Sequence, residues 1–94
     1  MRPRTIDEYL DSTRNILEEA ARLLGQHGHS EMSVYASNEL RRAEQCNIED
    51  EVGADAQILI LAGASLLVRK YAEKNDLADV TEVMNQWDDV PSAG

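Results

Sequence analysis

Few residues in this chain have the types and spacing that chemistry needs, and His27 and His29 come first. They form a His-x-His pair in the glycine-bearing segment GQHGHS, residues 25–30. Alternating imidazoles can ligate zinc, but a site takes three or four ligands. Cys46 and the nearby acids stand at no recognised ligand spacing, so the pair reads as a solvated loop and no metal is expected. Cys46 is the one cysteine, which excludes an internal disulfide and fits a reducing interior. As a nucleophile it would need a histidine or a helix N-terminus to lower its pKa. It falls instead towards the end of a predicted helix, where the dipole opposes a thiolate, and reads as a small buried or half-buried residue.

The carboxylates Glu18-Glu19 and Glu49-Asp50-Glu51 fall on predicted helix surfaces and termini, as solvated or capping charges rather than acid/base pairs. The Arg41-Arg42 pair reads as a salt-bridged surface. The chain has no glycine-rich phosphate loop, no His-Glu-x-x-His and no serine in a nucleophile elbow. No catalytic residue and no cofactor are therefore expected, and the chain does not read as an enzyme.

The elements that carry these residues are all predicted helical. Ninety-four residues make a single domain, 1–94, with flexible ends at 1–4 and 90–94. Pro3 and Pro91 are the only prolines, and nothing between them forbids helix. There is no Phe and one Trp, so Leu, Ile, Val and Ala must build the core. The fold class is all-α, a bundle of about four helices over 5–24, 31–46, 52–74 and 76–88.

Thr5 and Glu8 form a capping box at the start of the first helix. Ile6, Tyr9, Thr13, Ile16, Ala20 and Leu23, widened by Leu10, Leu17 and Leu24, make one broad apolar face. Gly25 is the expected left-handed stop. Ser30 is the candidate cap of the second helix, whose thinner stripe runs through Met32, Tyr35, Ala36, Leu40 and Ala43. Asn75 or Asp76 is expected to cap the fourth, with Leu77, Val80, Val83, Met84 and Trp87 as its stripe.

The third helix is the unusual one. Between Ala56 and Val68 only Gln57 and Ser65 are polar, and they fall about 80° apart with Leu61 between them. A helix with no continuous polar face is buried in a large core or spans a bilayer. Thirteen uncharged residues fall short of the roughly 20 that a span requires, so no membrane crossing is expected. Acids at residues 49–55 precede the run and bases at 69–74 end it, each matching the helix dipole. The small cluster Ala62-Gly63-Ala64-Ser65 allows close approach of another helix.

Three amphipathic helices shield about three sides of this rod, and a symmetric dimer would bury the surplus. The expected contact residues for a partner or a twin are Ile58, Leu59, Leu61, Gly63, Leu66, Met84 and Trp87. The net charge of −9 repels phosphate backbones and anionic lipid, so neither nucleic acid nor membrane is an expected partner. MRPRTIDEYL lacks the apolar core of a secretory signal, and a cytoplasmic location is expected.

The leading functional expectation is a small acidic regulator that binds and inhibits another protein through an apolar helical surface. An anti-activator blocking dimerisation of a transcription regulator is one example. Two alternatives belong to other classes. An acidic nucleic-acid mimic would place the acids at 49–55 and 76–89 in a basic groove of its target, as a phage-borne inhibitor does. A ligand-binding or enzymatic bundle would need a polar pocket, for which Gln57 and Ser65 supply little.

Overall fold

The computed structural model describes residues 6–47 and 49–89. Thr5 of the expected capping box and the expected flexible ends at 1–4 and 90–94 lie outside the described residues. Four α-helices follow in order: α1 (Ile6–Gln26), α2 (Ser30–Glu44), α3 (Glu51–Lys74) and α4 (Ala78–Asn85), the last continued by a 3₁₀ turn over Gln86–Asp89. No strand occurs among the described residues, so the chain is an all-α bundle. Each of α1, α2 and α4 packs against α3.

The core follows the expected stripes with a small rotation. On α1 the buried line runs through Leu10, Thr13, Leu17, Ala20 and Leu24, with Tyr9 and Leu23 at its edge. Thr13 has no solvent contact, and its hydroxyl donates to the Tyr9 carbonyl at 2.9 Å, the back-bond that lets a threonine sit dry in a helix. α2 contributes Ala36, Leu40 and Ala43, and α4 contributes Val80 and Met84.

The helix ends depart from the sequence reading at three points. Gly25 is helical and does not terminate α1. The left-handed residue is Gly28, at φ 81°. The His29 N–H reaches the Leu24 carbonyl at 2.9 Å and the Gly28 N–H reaches Gly25 at 3.2 Å, the double closure of a Schellman motif. Gly25 lies where α2 crosses α1 and Ser33 donates to the Ala21 carbonyl, and a Cβ there would make an ordinary contact with the Ser33 hydroxyl at 3.4 Å.

Ser30 is the first residue of α2 rather than its cap, and His29 holds the cap position without a side-chain bond. α4 likewise starts after Leu77, not at Asn75 or Asp76. Those two close α3 instead, through a second Schellman motif in which Leu77 N–H reaches Ala72 at 2.9 Å and Asp76 N–H reaches Glu73 at 3.3 Å.

Here Asp76 takes the left-handed position, at φ 56°, where a glycine carries no Cβ penalty. Asp76→Gly is therefore expected to stabilise the fold by about 0.5–1 kcal/mol, since part of the relief is lost to glycine's freedom in the unfolded chain. Chemical denaturation with an unchanged m-value checks it, and a lower midpoint for the variant would rule it out.

Candidate contact surface

α3 starts with Asp50 as N-cap, its carboxylate accepting the Val52 N–H at 3.3 Å. It is 24 residues long, about 36 Å at 1.5 Å per residue. Its length and composition also match those of a membrane-crossing helix, although a third of that apolar window is buried inside the bundle.

The side turned inward is Ala54, Gln57, Leu61, Ala64, Ser65, Val68 and Ala72. That arc contains both polar residues of the apolar run. Gln57 is 2% exposed and Ser65 wholly buried, and the Gln57 Oε1 and Ser65 Oγ have no hydrogen-bond partner among the described residues. The arc is chosen by size. Four of its seven residues are alanine or serine, so three neighbouring helices can close on α3 at once.

Leu59, Leu66 and Leu67 face the other way. Val52 is 74% exposed, Leu59 72%, Leu66 50% and Leu67 46%. Gly63 lies on the same exposed side, and a Cβ placed there would meet nothing within 4 Å. α3 is thus amphipathic in reverse, with amide and hydroxyl inside and large aliphatic side chains outside. Lone exposed hydrophobics are ordinary, but a line of them along one helix marks a surface meant to be covered.

Of the seven expected contact residues, Leu59, Gly63 and Leu66 lie on this open flank, and Ile58 is half-buried beside the core. Leu61 and Met84 are corrected: both are fully buried within the chain and can reach no partner without unfolding it. Trp87 sits in the 3₁₀ turn beyond α4, half-buried against the core. Val52 and Leu67 were not singled out from the sequence, because a helix apolar on every side gives no cue to which residues the neighbours will leave uncovered.

The residues with chemical potential are dispersed. The histidines are not a merely solvated loop. His27 Nε2 lies 2.7 Å from Asp79 Oδ2 at the start of α4, and His29 Nδ1 lies 2.7 Å from the Tyr71 hydroxyl on α3. The His29 and Tyr71 rings meet edge to face at a centroid distance of 5.4 Å. The α1–α2 turn is thereby latched to the end of α3 and the start of α4. Sequence spacing gave no signal, since the paired residues are 52 and 42 positions apart. Cys46 is half-buried in the turn after α2, and Arg42 pairs with Glu39 at 2.9 Å. No group of three metal-ligating side chains forms among the described residues. An open depression of about 480 Å³ lies between the end of α3 and α4, lined by Glu73, Asp76, Thr81, Glu82 and Asn85 and holding no base.

No family model, curated protein or solved structure matches the chain. The functional reading therefore rests on the chemistry of its own surface.

The His27–Asp79 latch has a pH signature. The hydrogen bond from His27, with a smaller contribution from the Val80 N–H, holds the Asp79 carboxyl below its usual value of 3.8. A carboxyl depressed by folding stabilises the folded chain above its unfolded-state value, and that contribution is lost as pH falls through the folded-state value. The melting-temperature advantage of the native chain over Asp79→Asn should therefore shrink as pH falls below 3.8. Melting curves below that pH test this, and an advantage that does not shrink there would exclude the latch.

Proposed function

We propose that this chain is a non-catalytic interaction protein whose contact surface is the open flank of α3, docked against an apolar surface of another protein chain. One observation carries the reading: Val52, Leu59, Leu66 and Leu67 stand exposed along a helix whose Gln57 amide and Ser65 hydroxyl are buried. Leaving large aliphatic groups in water costs about 25 cal/mol per Å², and a partner's apolar surface recovers it. A regulatory role follows from occupancy alone. Covering a partner's own association surface inhibits that partner and requires no reactive group.

The nucleic-acid mimic has less support. Its two acidic groups, at residues 49–55 and from Asp76 onwards, are divided by the apolar run of α3 and by its basic end at Lys70 and Lys74.

The test is affinity capture from the native host at low and high salt, comparing the native chain with Leu66→Glu. A single protein held at high salt and lost with Leu66→Glu supports the reading, because apolar contact is insensitive to screening. A protein released from the native chain by salt, and indifferent to Leu66→Glu, would favour the mimic and refute the α3 surface.

A further inference from the structure

The open flank of α3 has a charge pattern that selects one occupant. Glu51 and Asp55 lie at its N-terminal end and Lys70 and Lys74 at its C-terminal end, and none of the four makes an ion pair with another described residue. Resting on the reading of α3 as a contact surface, we infer that the flank is covered by a second copy of the same helix, packed antiparallel about a two-fold axis between Ala62 and Gly63.

The register follows from the sequence of the exposed face. A two-fold axis at that point brings each residue level with the partner residue equally far on the other side, and every pairing occurs twice. Leu59 then meets the partner's Leu66, and Leu66 the partner's Leu59. Asp55 meets the partner's Lys70, one turn beyond the leucines at either end. Glu51 falls level with the partner's Lys74. Val52 falls level with the partner's Glu73, which pairs with Arg69 of its own chain at 3.8 Å, so the self-complementarity rests on the leucine and acid–lysine pairings. A parallel pairing would instead oppose Asp55 to its own copy and Lys70 to its own copy, which electrostatics disfavours.

Gly63 supplies an independent observation. It stands in the interior of a long helix, where glycine weakens the structure, and no atom of the described residues lies within 4 Å of the space that a Cβ would fill. At the crossing point that space is used: Ala62 and Gly63 beside the axis let the two backbones come close enough for the flanking leucines to interdigitate. Length fits as well, since the exposed residues run from Glu51 to Lys74 along the whole helix.

The experiment is sedimentation equilibrium of the full chain at micromolar concentrations, with Asp55→Lys, Lys70→Asp and the double exchange. All three alter exposed positions, and circular dichroism verifies that each remains helical. The native chain is expected at twice its 10.5 kDa mass. Each single exchange sets like charges against each other twice and should weaken association at least about tenfold. The double exchange restores opposite charges and should return the constant to within about threefold of the native value.

A native chain that stays at 10.5 kDa overturns the inference. So does a dimer unaffected by the single exchanges, which would mean another register or surface. A monomer that sediments with phosphatidylcholine vesicles would make lipid the occupant and overturn it too. The capture experiment stands apart: a monomeric chain whose partner is still lost with Leu66→Glu would refute the twin and leave the contact surface intact.

Discussion

Gly53→Ala is expected to destabilise the protein by about 3 kcal/mol, the upper end of the range for overpacking. The sign opposes intrinsic preference, because alanine is the better helix former by about 1 kcal/mol. Gly53 lies in the first turn of α3, where the chain arriving from α2 folds back across it. A Cβ at Gly53 would overlap the Asn47 carbonyl oxygen and lie 2.9 Å from the carbonyl carbon. These are backbone atoms and cannot rotate aside. The Asn47 carbonyl also accepts the Asp50 N–H at 3.2 Å, and its side-chain oxygen accepts the Glu49 N–H at 3.1 Å. Relieving the clash therefore pulls apart the turn that presents Asp50 as the cap of α3. For a domain of this size the loss corresponds to a fall in melting temperature of roughly 10–20 °C. Thermal melts followed by circular dichroism measure it. An unchanged or raised melting temperature would show that the α2–α3 turn does not cross α3 at Gly53.

The second large effect separates two leucines two positions apart. Leu61→Ala removes a side chain with no solvent exposure at the centre of the bundle, and should cost about 2–5 kcal/mol. Leu59→Ala removes one that is 72% exposed. Measured at dilution below any self-association, it should change single-chain stability by no more than about 0.5 kcal/mol. Urea denaturation of both variants decides the rotation of α3 about its own axis. If Leu59→Ala proved the costlier, the helix would be turned with its leucines inward and its amide outward, and the open flank would not exist.

The functional reading stands on that rotation. With Gln57 and Ser65 inside, α3 carries two polar atoms that no described group satisfies, a cost of about 1–3 kcal/mol each. The opposite orientation would expose those atoms to water, but it would drive Leu59, Leu66 and Leu67 into a space shaped for alanines. Close approach of three helices to one is worth more than two satisfied polar groups, and the leucines are left outside as the consequence.

Much of this was legible in the residues themselves. Four helices, their order and their approximate bounds follow from apolar periodicity, two terminal prolines and acids and bases placed to suit the dipole of α3. The buried line of α1 follows from leucines recurring every seven residues. Local chemistry was less reliable at the ends. Gly25 and Gly28 are both candidates for the left-handed position, and the chain takes Gly28. Asp76 takes a glycine's conformation as the left-handed residue of the Schellman closure of α3, which its residue type does not announce.

Tertiary structure alone decided two things. The first is which histidine meets which partner, since contacts across 52 and 42 residues exist only once the bundle has brought both ends together. The second is which side of α3 faces water. Periodicity can orient a helix only when its faces differ in polarity, and those of α3 barely do. Volume then decides where hydrophobicity cannot, and volume is a property of the assembled neighbours rather than of any stretch of sequence.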